Sequence, residues 1–412
     1  MTTFALTELL GRPVVDAAGT PAGRLRELVL APQEDRARVS SFIVKTKAGD
    51  RLLPFQGITA VNSGLHTSSN YSEWKAPDGT EGFLLARDLL DQQVIDVHGR
   101  KVVRVNDVDL HEDVVDDQVV LRVGAVDVGL RGAIRRLLKG VVPMPALKTV
   151  LRQIPEKPIP WDFVDIIETD PARRVKLKIS HERLAKLHPA DIADIVEDLA
   201  PDEREAVFET LDEQVAAGAL EEVDPKVQKA IVESLDSDRA ADIVEEMEPD
   251  AAADLLGDLT EERTSQILRE MAPEERKEMA ELLEFKENTA AGRMNTEYLA
   301  LDLNATAQEA IDALRDFEGG VETVNTMYLV DSNGVLAGAV PLIQLVIGNS
   351  EDQLITLSQE PLISCEEYTS EIEVAELFDK YNLLTLPVVD REKKLLGVIT
   401  SDDVISMLRS KL

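Results

Sequence analysis

The chain holds one cysteine, Cys365, in 412 residues. An internal disulfide and a cysteine-based zinc site are therefore excluded, and a reducing, cytoplasmic setting is expected. Histidine is also scarce, with five residues at positions 66, 98, 111, 181 and 188 that show no metal-ligand spacing. His181 and His188 stand at a helix entry, where structural roles prevail. No nucleophile elbow, phosphate loop or dinucleotide fingerprint occurs, so no enzyme is expected. The start, "MTTFALTELLGRP", has no basic segment followed by an apolar run, hence no sign of a secretory leader. The longest apolar stretch, residues 336–348, is broken by Pro341 and Gln344 and falls far short of the ~20 residues that span a bilayer.

Positive charge is scarce too, and unevenly so. Lys and Arg number 44 against 78 Asp and Glu, for a net charge of −34. Residues 181–300 hold 34 acids and 12 bases, residues 301–412 hold 20 and 7, and residues 1–180 hold 24 and 25. Such an acidic body repels nucleic acid and attracts cations.

What is abundant in the middle is repetition. "ADIVEDLAPD" at 193–202 returns as "ADIVEEMEPD" at 241–250, and "SQILREMAPE" at 265–274 is a weaker copy. Prolines at 201, 225, 249 and 273 and leucines at 211, 235, 259 and 283 keep a 24-residue interval. That period marks stacked helical units, each too small to bury its own apolar face. Proline followed by acids suits a helical first turn, because the missing N–H costs nothing there and carboxylates complement the dipole. Each repeat is expected to be two short helices, one ending before the proline and one starting at it. Asp250, Asp254 and Asp258 then form a row along one helix face, as do Asp238, Asp242 and Glu246. Like charges at that spacing cost a few tenths of a kcal/mol per pair, which a divalent cation would remove. A merely solvated face is the alternative.

The array ends in "LLEFKENTAAGRMNTEYLAL", residues 282–301. Repeat and junction together resemble the cytosolic amino-terminal domain of the MgtE magnesium channel family, which has a similar run of aromatic, acids, Thr-Ala-Gly and Met-Thr. Phe285, Thr289, Ala290, Met294 and Tyr298 keep the pattern, whereas Ala291 stands where glycine is usual and Asn295 replaces a threonine. Beyond the junction, residues 300–350 and 358–412 read as two copies of a strand-helix-strand-strand-helix unit. They resemble a pair of CBS modules, which commonly bind adenine nucleotides. "GVITSDD" at 397–403 matches that family's motif, so the resemblance places Gly397 in the turn, Thr400 at phosphate and Asp403 at the ribose; a turn that closes a strand-to-helix corner with no ligand is the alternative. The first copy departs, with Pro341 and Gln344 at the corresponding positions. In the MgtE family the CBS pair leads into a pore; this sequence stops after "SDDVISMLRSKL".

The front third repeats at an offset of 80: "PVVDAAGTPAGRLRELVL" at 13–30 aligns with "QVIDVHGRKVVRVNDVDL" at 93–110. Alternating β-branched residues broken by Asp-x-x-Gly turns indicate small barrels, and the pattern resembles tandem PRC-barrel modules, which act mainly as adaptors. A basic stretch carries Arg131, Arg135, Arg136, Lys139, Lys148, Arg152 and Lys157. It is expected to close the second module or pack on this protein's own acidic domain, with a membrane surface or acidic partner as the alternative.

The expected fold is therefore multidomain. It runs as PRC-barrel-like modules at 1–85 and 86–177, an all-α right-handed-type helical solenoid at 178–293, and an α/β CBS pair at 294–412. The resemblances imply a cytosolic regulatory protein that senses Mg²⁺, with ATP, ADP or AMP as a second ligand. It would control a membrane divalent-metal transporter supplied by another chain. Candidate metal ligands are Asp250, Asp254, Asp258 and Asp402. A homodimer through the CBS pair and peripheral contact with the inner face of the membrane are expected, and nucleic acid is not. A scaffold with no metal role and a purely nucleotide-sensing regulator are the alternatives.

Overall fold

The computed structural model describes residues 2–30, 35–55, 58–61, 64–77, 82–115, 118–137, 155, 157–168, 181–286, 288–317, 319 and 324–409. Lys139, Lys148 and Arg152 of the basic stretch lie outside them. The chain divides into two units, Met1–Asp224 and Pro225–Leu412.

The first unit begins strand-rich. Strands β1 (Thr2–Ala5), β2 (Pro13–Val15), β3 (Pro21–Leu30), β4 (Val39–Thr46), β5 (Gly49–Pro54), β6 (Ile58–Val61), β7 (Leu65–Thr67) and β8 (Phe83–Leu84) are followed by β9 (Gln93–Asp96), β10 (Lys101–Arg104), β11 (Asp107–Val115), β12 (Gln118–Asp127), β13 (Pro158–Pro160) and β14 (Val164–Ile166). Short helices α1 (Leu6–Leu9) and α2 (Leu85–Asp88) follow β1 and β8, and α3 spans Leu130–Leu137. One sheet runs β5-β4-β3-β2-β7-β6, with β8 also on β3; another runs β1-β11-β12-β13, and a third β10-β9-β14. The Asp-x-x-Gly turn forms as expected. Asp16 Oδ1 accepts from the Ala18 and Thr20 backbones, and Gly19 takes φ +78°, which a side chain would resist.

The two sequence copies exchange their leading strands. β8, which leads into the second copy, pairs with β3 of the first, and β1, which leads into the first, pairs with β11 of the second. A buried carboxylate fastens each exchange. Glu27 on β3 accepts the backbone N–H groups of Ala86 (2.7 Å) and Arg87 (3.1 Å) on α2. Asp107, 80 positions later, accepts the Thr7 backbone N–H at 3.1 Å and the Thr7 hydroxyl on α1. Burial raises the Glu27 carboxyl above its ordinary range, and the three backbone donors from Ala86, Leu28 and Arg87 oppose that rise. Asp107 is matched by charge instead, with the Arg135 guanidinium of α3 donating at 2.8 Å. Both copies contribute to a single apolar core that includes Phe4, Leu28, Phe42, Phe83, Leu110 and Trp161.

Helices then follow in strict order. α4 (Pro189–Glu197), α5 (Pro201–Phe208) and α6 (Glu213–Glu222) belong to the first unit, where α4 packs on α6. α7 (Pro225–Ser234), α8 (Ser237–Glu245), α9 (Pro249–Asp258), α10 (Glu261–Glu270) and α11 (Pro273–Leu282) open the second, where α8 packs on α10 and α9 on both α7 and α11. Each helix starts twelve residues after the previous one, so the 24-residue repeat is a helix pair, as the prolines imply. The twelve-residue step also places Leu199, Leu211, Val223, Leu235, Met247, Leu259 and Met271 just past successive helices, all buried. Three arginines of the array serve its helix ends. Arg204 donates to the Val196 and Glu197 carbonyls, Arg263 to Val232 and Leu235, and Arg276 to Arg269 and Met271.

The rest of the second unit is an α/β region in two copies. β15 (Ala300–Asp302), α12 (Ala307–Arg315), β16 (Thr326–Val330), β17 (Leu336–Pro341), α13 (Leu342–Ile347) and α14 (Leu354–Leu357) make up the first; β18 (Cys365–Glu366), α15 (Glu371–Tyr381), β19 (Thr385–Val389), β20 (Leu395–Thr400) and α16 (Ser401–Arg409) make up the second. Each sheet pairs its first strand parallel and its last antiparallel to the middle one. Each copy opens its first helix with a capping box, Thr306 with Glu309 and Ser370 with Glu373, the device that Ser/Thr-x-x-Glu encodes. Between the copies Tyr328 donates its hydroxyl proton to Thr385 Oγ1 at 2.8 Å.

Candidate functional site

The junction is a suture rather than a linker. Thr289 forms a bridge with Ser370, Ala290 N–H donates to the Thr369 carbonyl at 2.8 Å and Ala291 N–H to Glu367 at 3.0 Å. Asn295 and Val398 exchange backbone hydrogen bonds at 2.7 and 2.9 Å. Ala291 begins a right-handed 3-10 turn over Ala291–Arg293, which needs no glycine, so its departure from the usual residue is harmless. Asn295 is fully buried and turns its amide Nδ2 to Glu248 Oε2 at 3.3 Å, on the residue preceding α9. Gly397 backs onto this suture: a Cβ there would lie 2.8 Å from the Asn295 carbonyl oxygen and 2.8 Å from Met294 Cγ. Its lack of a side chain lets junction and β20 close.

The suture brings α9 against the start of α16. Glu248, Asp250 and Asp403 each offer a carboxylate oxygen within 4.8 Å of the others. Asp403 is oriented by the turn it closes, with the Thr400 N–H donating to its Oδ2 at 2.7 Å and the Thr400 hydroxyl at 2.6 Å. The Asp250 carboxyl has its own backbone N–H and the Asp403 carboxyl as neighbours, yet its Oδ1 is shielded from solvent and lacks a hydrogen-bond partner. Burial, and then the facing charges of Asp403 and Glu248, push the Asp250 carboxyl well above the ordinary aspartate range. Asp403 is raised as well, chiefly by burial, with the Thr400 donors pulling the other way.

Of the row expected from the sequence, the structure brings only Asp250 into this cluster. Asp254, one turn on, forms an ion pair with Arg293, whose Nε also donates to Glu371 at 2.9 Å. Asp258 and Asp402 are exposed and lie outside it. The residue of α16 that faces α9 is Asp403, because one step along a helix turns a side chain by about 100°. Glu248 carries no row spacing and its part was not legible beforehand. The Thr400–Asp403 spacing, by contrast, signals a helix-entry turn that fixes which aspartate points inward. Gly397, Thr400 and Asp403, expected to hold a nucleotide, thus sit at the same interface as the acidic cluster.

Could these residues hold a hard divalent cation? Three carboxylates with one buried oxygen lacking a partner are the donor set such an ion takes, with water completing its shell. The fit is therefore good.

Comparison with known proteins agrees with this architecture. The family described as MgtE intracellular N domain matches residues 187–288, the CBS domain family residues 355–410, and the PRC-barrel domain family residues 1–68. The magnesium transporter MgtE of Thermus thermophilus is 32% identical over 136 residues, 33% of this chain and 30% of that protein. Its namesake in Enterococcus faecalis is 30% identical over 135 residues, 33% of this chain and 30% of that one. The chain thus spans about 30% of the length of the curated relatives it matches. A crystal structure of the soluble part of a magnesium transporter shares 26% identity at TM-score 0.53, covering 56% of this chain and 91% of the other. The cytosolic domain of the Mg²⁺ channel MgtE in complex with ATP shares 28% identity at TM-score 0.53, covering 57% and 94%. Among the described residues no helix is long and apolar enough to cross a membrane. The chain therefore joins a PRC-barrel domain to an MgtE intracellular N domain and a CBS domain, the last two resembling the cytosolic region of MgtE magnesium transporters.

Proposed function

We propose that the chain is a non-catalytic regulator that senses Mg²⁺ at Glu248, Asp250 and Asp403. Without a cation, three carboxylates meet across α9 and α16 and repel. An ion held by them and by water would remove that cost and favour the closed arrangement. The observation that carries the reading is the orphaned, solvent-shielded Oδ1 of Asp250 amid like charges.

The closed state would be read by a membrane divalent-metal transporter contributed by another chain, with this protein at the inner face of the membrane. Likeness to magnesium transporters over the acidic helices and the CBS region supports that partner. Likeness to an ATP-bound cytosolic domain supports an adenine nucleotide as second ligand, at Gly397, Thr400 and Asp403. Association of two copies through the CBS region would cover Ile343, Val346 and Ile347 of α13 and Ile405 and Leu408 of α16, all exposed.

Calorimetric titration of the full chain tests the metal reading. Mg²⁺ is expected to give a saturable heat that Asp250→Asn and Asp403→Asn each abolish. Equal heats in all three proteins would leave the acid as solvation and favour a scaffold. Titration with ATP, ADP and AMP in place of the metal reads the nucleotide part.

A further inference from the structure

Residues 241–260 carry seven acids and neither Lys nor Arg, so positive charge against α9 must come from elsewhere. Arg293 supplies it from the junction. We infer that Arg293 is a tethered cation that clamps α9 to the CBS region without any metal, through Asp254 at one end and Glu371 at the other. The inference rests on the proposed closure of this interface and names a control on it.

Three features carry it. First, Arg293 belongs to the CBS side, because backbone hydrogen bonds on both flanks, at Ala290, Ala291 and Asn295, tie its segment to Glu367, Thr369 and Val398. Second, its guanidinium reaches outward to α9: Nη1 pairs with Asp254, four residues from Asp250. Third, Glu371 holds the other edge of the fork. That carboxylate is buried at the first turn of α15, and Arg293 Nε meets it at 2.9 Å, so the arginine's direction is fixed. A planar guanidinium can serve two carboxylates at once, whereas an ammonium is a point charge with no such fork.

Glu371 is thus a positioning residue, and Asp254 is already occupied by a cation. The acidic interface has two means of closure. One is covalently attached and always present; the other is the cluster of Glu248, Asp250 and Asp403, open to a diffusible ion. The attached charge would hold part of the population closed when Mg²⁺ is scarce, and the ion would complete it. A threshold set this way falls when the clamp is strong and rises when it is removed.

The test places spin labels on the full chain at two exposed positions, Glu262→Cys on α10 and Glu376→Cys on α15. Cys365 is buried with its thiol pushed up to about 12, so it contributes little background label. In chelator, the parent is expected to show a short-distance population by pulsed dipolar spectroscopy, which Mg²⁺ enlarges. Arg293→Leu should reduce that population about fivefold, and Mg²⁺ should restore it. Arg293→Lys should fall between. Asp254→Asn removes the far end of the clamp and leaves the Arg293–Glu371 pair, so it should reproduce the loss without disturbing the junction. An unchanged distribution in Arg293→Leu or in Asp254→Asn overturns the inference, as does a parent already open in chelator. Loss on Arg293→Leu that Mg²⁺ does not restore upholds the clamp and defeats the metal reading instead.

Discussion

Mg²⁺ at about 100 times its dissociation constant is expected to stabilise the unit Pro225–Leu412 by about 2.7 kcal/mol, and Asp250→Asn to abolish the gain. For a unit of this size that is a rise of roughly 5–10 °C in Tm, readable by scanning calorimetry. The variant should also behave differently without metal. An ionised Asp250 is penalised by burial and by Asp403 and Glu248, and asparagine carries no such charge, so the metal-free variant should match or exceed the parent. The sign of the pH dependence follows. Because the carboxyl is raised in the folded chain, its contribution is present below the ordinary aspartate range and is lost as pH rises through the raised value. The proton is doing there what the metal would do. The gain from Mg²⁺ should therefore be larger at about pH 8 than at about pH 5, and asparagine should flatten the difference. Equal gains in parent and variant at the higher pH would place the ion elsewhere.

The largest loss of stability is expected from Asp107→Ala, about 3–5 kcal/mol in the unit Met1–Asp224. The carboxylate is fully buried and accepts from the Thr7 backbone and hydroxyl, from the Val108 N–H at 2.9 Å and from Arg135. Alanine would leave the Arg135 guanidinium buried without its counter-ion, and its Nε already lacks a hydrogen-bond partner. The same loss releases α1 and the exchanged strand β1 from β11. Asp107→Asn keeps an acceptor for Thr7 and should cost less. Asp107→Leu combined with Arg135→Met should recover part of the loss, since the unpaired charge is the main cost. Urea unfolding decides it; a loss below about 1 kcal/mol for alanine would show the pair to be incidental.

The helical array was largely written in its prolines. Pro201, Pro225, Pro249 and Pro273 each open a helix, because that residue can occupy a first turn and little else in an array. Half the period was hidden, since Leu, Val and Met alternate at the buried helix ends and identity repeats only every second helix. Exchange of β1 and β8 was less accessible. Strand partners more than 50 residues apart for β8 and more than 100 for β1 leave no local periodicity, and the clue lay in Glu27 and Asp107 recurring at the same offset as the rest of the repeat. At the acidic cluster, row spacing found Asp250 because one helix face carries it. Glu248 and Asp403 come from outside that face, and only the folded junction brings them there. Arg293 was in view within the junction, yet its reach to both Asp254 and Glu371 depends on the suture that aims it.

Crystals of the full chain grown with Mn²⁺ as an anomalous substitute for Mg²⁺ would decide whether the cluster of Glu248, Asp250 and Asp403 holds a cation. An anomalous peak is expected at the coordination distance of a hard cation, about 2.1 Å, from carboxylate oxygens of Asp250 and Asp403, with Glu248 or water completing the shell. Peaks confined to exposed acids such as Asp258, with the space between Asp250 and Asp403 empty, would contradict it.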